Sequence, residues 1–146
     1  MTRFLAALTM ILPLLACAVP DEPREVFSLV PLQVAEVRIQ VQLADTAEKR
    51  AQGLMFQQSA DPGMLLLYRE PRAIALWMAN TAMALDVAYI GPDWRIAELI
   101  TLEPFDTTAV PSAKPVIAAL EMPRGWFAKN GVQLGQKVTL LPNLNP

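Results

Sequence analysis

From Val37 the chain alternates: Val37, Ile39, Val41 and Leu43 are apolar and Arg38, Gln40 and Gln42 between them are polar, which predicts a half-buried strand. Asp45, with Glu48 three positions on, predicts a short capped helix through Lys49, Arg50 and Ala51 that stops near Gly53. Asp61-Pro62-Gly63 reads as a turn. Met64 to Tyr68 and Ile74 to Met78 are short apolar runs, predicted as strands separated by an Arg69–Arg72 turn. Leu85 to Ile90 and Trp94 to Glu103 flank Gly91-Pro92-Asp93 and predict a hairpin. Residues 104–115 read as a long surface loop, Val116 to Met122 as a strand, and Pro123 as the first residue of a second short helix ending before Gly131. A last strand, Lys137 to Leu141, precedes a Pro- and Asn-rich tail at 142–146. About seven strands and two short helices predict a mainly β (α+β) fold, a compact antiparallel barrel- or sandwich-like domain over residues 34–141.

The first residues follow a different pattern. Arg3 supplies a positive start, Phe4 to Leu15 carry no charge, and Leu14-Leu15-Ala16-Cys17 resembles the lipobox cut before cysteine in bacterial lipoproteins. The apolar run is shorter than the roughly 20 residues a membrane-spanning helix needs. The expectation is a signal peptide over 1–17 and lipidation of Cys17, with the protein exported and membrane-anchored in the cell envelope. Cleavage after Ala18 would instead release a soluble periplasmic protein. Residues 18–33, with Pro20, Pro23 and Pro31, read as an extended tether between membrane and domain.

Composition narrows the chemistry. There is no histidine, and Cys17 is the only cysteine, so an imidazole triad, thiol catalysis within the domain and a structural zinc site are excluded. The net charge is −2 with no basic run, which leaves no electrostatic footprint for nucleic acid. No glycine-rich phosphate loop occurs, and no cofactor or metal is expected. The methionines Met55, Met64, Met78, Met83 and Met122 are irregularly spaced and read as core.

Carboxylates, arginines, hydroxyls and aromatics remain. Asp86 and Glu121 each sit in an apolar strand, where an unpaired charge is costly. They either pair with Arg50 or cap backbone donors, or they belong to a site. Trp77, Trp126 and Phe127 are core residues or a stacking surface for a ligand.

Arg50-Ala-Gln-Gly-Leu-Met55, Gly63-Met64-Leu65, Trp77-Met78-Ala79-Asn80-Thr81, Leu85-Asp86, then Leu120-Glu121 and Gly125 occur in order. That series resembles the domain-of-unknown-function family DUF192 across about residues 36–141. The resemblance implies a compact, mostly β fold, with export signals common among members, and it implies no activity. Two positions depart from the family pattern, which usually has lysine where this chain has Ala79 and an aromatic where it has Ala118. If both line one pocket, a cation and a ring are missing there together. The matched residues Arg50, Trp77, Asn80, Thr81, Asp86 and Glu121 are the candidate shared site, or else a shared structural network.

The leading expectation is a non-enzymatic envelope domain that binds a small polar ligand, a glycan or a partner protein. Arg50 would supply a forked donor, Asn80 and Thr81 would orient the ligand, and Trp77 would form an apolar wall. One alternative is a carboxylate-based, glycosidase-like hydrolase with Asp86 and Glu121 as its acid and base, which requires the two carboxyls to flank one cleft. The other is an envelope structural or assembly factor.

Overall fold

A computed structural model describes residues 24–142. Cys17, the apolar run before it and the first part of the expected tether lie outside the described residues, as does most of the expected tail. The chain is mainly β. In order it forms β1 (Ser28–Val34), β2 (Val37–Ala44), α1 (Ala47–Gln52), β3 (Met64–Arg72), β4 (Ala75–Leu76), β5 (Leu85–Ile90), β6 (Ile96–Leu102), β7 (Val110–Pro111), β8 (Val116–Pro123), α2 (Trp126–Lys129) and β9 (Val138–Leu140).

Seven strands make one curled sheet, a half-barrel, in the order β6-β5-β8-β3-β2-β1-β9. Its two edges meet at one end. Arg95 bridges to Lys137, Ile96 N donates to Gln136 O at 3.0 Å and Val138 N donates to Trp94 O at 2.8 Å. Curling of this kind protects strand edges that would otherwise present unpaired backbone. β4 and β7 form a separate two-stranded ribbon.

The sheet is mainly antiparallel, as the sequence suggested, with one exception. β2 and β3 pair in parallel, Gln42 opposite Met64 and Ala44 opposite Leu66. Parallel neighbours need a crossover rather than a tight turn, and α1 with the following loop supplies it. The other pairs, β1–β2, β1–β9, β3–β8, β5–β6 and β5–β8, are antiparallel.

Alternation sorts the side chains into two cores. Inside the curl lie Leu32, Val34, Val41, Leu65, Ala88, Ile90, Leu120 and Met122, with Phe127 of α2 and Val132 closing over them. On the outer face of β3, β5 and β8 lie Met64, Leu66, Leu85, Val87, Tyr89 and Ala119, covered by Leu54, Ile74, Leu76 and Met78. β8 is therefore buried on both faces from Ala118 to Met122. The methionines divide between the cores, Met122 in one and Met64 and Met78 in the other, and do not converge.

Several expected boundaries move. The segment read as a tether enters the sheet at Ser28. Leu32 and Val34 are fully buried, and the proline that suggested an extended linker is accommodated within β1. Pro31 O accepts from Leu141 N at 2.9 Å, so its nitrogen faces the β9 side, where pairing ends at Leu32–Leu140 and no ladder donor is needed. The cap of α1 is Thr46 rather than Asp45: its Oγ1 accepts from Lys49 N at 3.2 Å, while Asp45 reaches Lys49 Nζ. Arg69–Arg72 is not a turn but the continuation of β3. Residues 104–115 contain β7, tied to the segment before β4 by Ser112 N donating to Ile74 O at 2.8 Å. Pro123 ends β8 instead of opening a helix, and α2 starts only after Gly125.

Candidate functional site

A cavity of about 420 Å³ opens on the outer face of the sheet, between the end of α1, the outer half of β3 and the segment running through β4 to Met78. Leu66, Tyr68, Arg72, Leu85 and Glu121 come from the sheet, and Arg50 and Trp77 reach the cavity from the segments that cover it. Such a volume lies at the small end of the range for small-molecule pockets.

Glu121 is the unusual residue. It lies in the middle of β8, opposite Met64 on one side and Val87 on the other, and it is only 6% exposed. Its Oε2 has no hydrogen-bond partner. Burial alone pushes its carboxyl up from the ordinary 4.5 to about 7, because removal from water penalises the charged form and nothing nearby compensates. Its field also helps raise the Tyr68 and Tyr89 phenols, although burial is the larger cause for both. Tyr89 is anchored through its hydroxyl, which donates to Val110 O at 2.6 Å and so ties β5 to the ribbon.

Arg50 extends from the last turn of α1 toward β3. Its Nη1 donates to Leu67 O at 2.8 Å, and its guanidinium carbon lies 4.5 Å from the Tyr68 ring centroid. The local sequence explains that reach. The β3–β8 register shifts between Leu67 and Arg72, and at the start of that break the Leu67 carbonyl takes its bond from Arg50. Arg72 approaches the same ring, 5.8 Å from its centroid. Among the described residues neither guanidinium enters an ion pair. Arg50, Tyr68 and Arg72 also line a second depression, of about 450 Å³, that adjoins the first. Two cations therefore flank one aromatic ring at the boundary of two concave surfaces.

Trp77 is 54% exposed and lines the mouth of the cavity. Thr81 also lines it, but its hydroxyl donates to Ala79 O at 3.1 Å and closes the turn. Asn80 does not line the cavity. It adopts a left-handed conformation, φ 52, which Asn tolerates better than most residues, and its carbonyl accepts from Phe56 N at 2.9 Å. Phe105 N donates to Thr81 O at 3.0 Å and Met78 N to Asp106 O at 2.7 Å, so the turn is pinned by one further loop as well. The exposed rings of Phe56 and Phe105 are attached to it by these bonds.

Asp86 lies elsewhere. Its cross-strand partner is Met122, which faces the inner core, whereas Glu121 pairs with Val87 of the outer core. Cross-strand partners share a face and successive residues alternate, so the sheet separates the two carboxyls. Asp86 is occupied as well: Oδ1 accepts from Thr101 Oγ1 at 2.8 Å and Oδ2 from Gly125 N at 2.7 Å. It fastens the turn before α2 to the β5–β6 pair. The acid–base pair expected of these residues is not assembled. Nor do Ala79 and Ala118 share a pocket, because Ala118 packs in the inner core.

Four of the six expected residues, Arg50, Trp77, Thr81 and Glu121, thus converge on one cavity, and Asn80 and Asp86 do not. Tyr68 and Arg72 were not anticipated. The even-numbered alternation Met64, Leu66, Tyr68 was available in the sequence and assigns Tyr68 to the outer face. Arg72 gave no such signal, because it follows the register shift.

Comparison with known proteins fits this picture of a shared scaffold. No functionally curated protein matches the chain. A crystal structure of a protein of unknown function from Novosphingobium aromaticivorans is similar, with 32% identity and a TM-score of 0.68 over 77% of this chain and 84% of that one. A second, from Sinorhizobium meliloti and provisionally named a transcription regulator, has 28% identity and a TM-score of 0.73 over 81% of this chain and 98% of that one. The family model for DUF192, described as Uncharacterized ACR, matches residues 30–140. The chain belongs to the DUF192 family.

Proposed function

We propose that this protein is a binding domain of the bacterial cell envelope that takes a small organic anion into the cavity beside Tyr68. The observation that carries the reading is the pair of guanidiniums, Arg50 and Arg72, held against one ring with no carboxylate partner among the described residues. A planar guanidinium binds carboxylate or phosphate oxygens through two parallel donors. The Leu67 carbonyl and the Tyr68 face fix Arg50 before a ligand arrives, which reduces the entropy lost on binding. Trp77 offers an apolar wall for the body of the ligand.

Envelope location is supported by the signal-like start of the sequence, with Cys17 as the lipidation site and the membrane as the partner reached through it. The mass of the intact mature N-terminus tests this part. A lipid-modified chain beginning at Cys17 is expected, and an unmodified chain beginning at Val19 would remove the anchor but leave export.

Ligand-observed NMR against a panel of small carboxylates, phosphates and anionic sugars tests the binding part. Signals that vanish in Arg50→Ala are expected, and a panel with no Arg50-dependent signal would overturn the reading. A hydrolase using Asp86 and Glu121 finds no support in an arrangement that puts the sheet between them.

A further inference from the structure

The cavity has two charged ends that do not neutralise each other. Arg50 and Arg72 both lie against the Tyr68 ring, 4.5 and 5.8 Å from its centroid, while Glu121 lies in the middle of β8. Burial is the cause acting on the Glu121 carboxyl, and among the described residues no arginine lies within ion-pair distance of it. Glu121 lines the cavity, its Oε2 is buried and unpartnered, and Leu66, Leu76 and Met78 supply apolar lining. A buried acceptor without a donor is uncommon in a folded protein and costs stability unless something fills it. An anion on the arginines would leave that oxygen unpartnered.

We infer that the ligand is amphoteric: its oxyanion lies on Arg50 and Arg72 and its protonated amine sits on Glu121, as in a small amino acid. This rests on the anion-binding reading above and adds the second pole. An ammonium group supplies donors to the orphaned oxygen and a positive charge to hold the carboxylate ionised. A hydroxyl supplies a donor without the charge. The two therefore differ in proton balance. Ammonium binding at a pH below the midpoint of Glu121 drives a proton off the carboxyl into solvent, and affinity rises with pH until Glu121 is ionised in the free protein. The charge pair is enclosed, so it is screened less than a surface pair.

The experiment uses two matched series: the L-α-amino acids with the ω-amino acids from β-alanine to 6-aminohexanoate, and the same acids without nitrogen. Calorimetry on the wild-type protein is expected to show at least one amino acid binding about tenfold or more tighter than its nitrogen-free mate, the scale of a hydrogen bond to a charged group. Binding at pH 6 should release protons, seen as heat that depends on the ionisation enthalpy of the buffer. Glu121→Gln keeps the side-chain shape and should abolish both the preference and the proton release. The wild-type proton measurement needs no variant, so it stands even if the substitution disturbs folding. Nitrogen-free acids binding as tightly as their mates, through Arg50, would overturn the amphoteric ligand and leave the anion site intact. No binding in either series would overturn the amphoteric ligand, and the phosphates and anionic sugars of the wider panel then decide the anion site.

Discussion

A carboxyl removed from water without a donor or a cation keeps its proton to higher pH than it does in the unfolded chain, and Glu121 is such a group. Between about pH 4.5 and 7 the folded state binds more protons at this position than the unfolded state, so stability falls as pH rises through that window. Below the window both states are protonated and Glu121 contributes no difference. Above it the full penalty is present, of order 3 kcal/mol for a shift of this size. Glu121→Gln is therefore expected to stay within about 1 kcal/mol of the wild type near pH 5 and to exceed it at pH 8 by about 3 kcal/mol, as read from denaturant midpoints at the two pH values. A wild-type protein at least as stable at pH 8 as at pH 5, with no gain from the substitution, would mean that the carboxyl finds a partner in solution. The sequence identified Glu121 and Asp86 by the same feature, a charge in an apolar strand. It did not separate their roles, because the face a residue occupies depends on strand register, and a shift of one position inverts it. Asp86 met two donors and Glu121 met none, and both outcomes depend on partners far away in the chain. Asp86→Ala should lower stability by about 1–3 kcal/mol through the two lost bonds, in thermal or denaturant melts. It should leave ligand affinity unchanged, which the matching loss at Arg50 would not.

At the scale of elements, the crossover between β2 and β3 places the site. It carries α1 and Arg50 over the outer face and returns the chain through Gly63, whose carbonyl accepts from Gln42 N at 2.9 Å. Gly63 has φ 100, and a Cβ there would collide with the Met122 sulfur and lie 3.0 Å from the Glu121 carbonyl oxygen. Neither the backbone angle nor the space suits a side chain. Gly63→Ala should destabilise the protein by roughly 2 kcal/mol or more, through strain and displacement of β8. A variant with unchanged melting behaviour would show that the crossover can shift without disturbing β8. β2, with its clean alternation, and β5, an apolar run ending at the Gly91-Pro92-Asp93 turn, were legible in the sequence, as was the Asp61-Pro62-Gly63 turn. β3 was not, because its outer half is exposed and carries Arg69, Glu70, Pro71 and Arg72, residue types that usually mark a turn. The ribbon of β4 and β7 escaped for a related reason: two-residue strands carry no period. Since Arg72 lies at the end of β3, the misread strand and the missed site residue have one cause.

At the scale of the whole molecule, the question is where the folded unit begins. Proline content made residues 18–33 look like a linker, yet Val30, Leu32 and Val34 are inner-core residues and β1 stands between β2 and β9. The alternation of Val30, Leu32 and Val34 was present in the sequence, and Pro31 concealed it. Composition measured over a window of residues cannot register that one missing donor faces the side where the ladder has ended. The family match, which starts at residue 30, fits a domain that includes this strand. A chain starting at Arg24 keeps every strand of the sheet and is expected to unfold cooperatively, with the same midpoint as the longer protein. A chain starting at Ala35 loses three core side chains and leaves β9 without a partner along its length. Burying side chains of this size contributes about 1.5–3 kcal/mol each, so the loss approaches the entire stability of a typical domain. That shorter chain should show no cooperative transition by circular dichroism. If it melts like the longer one, β1 is an accessory to a core complete without it, and the folded unit begins where the sequence first suggested.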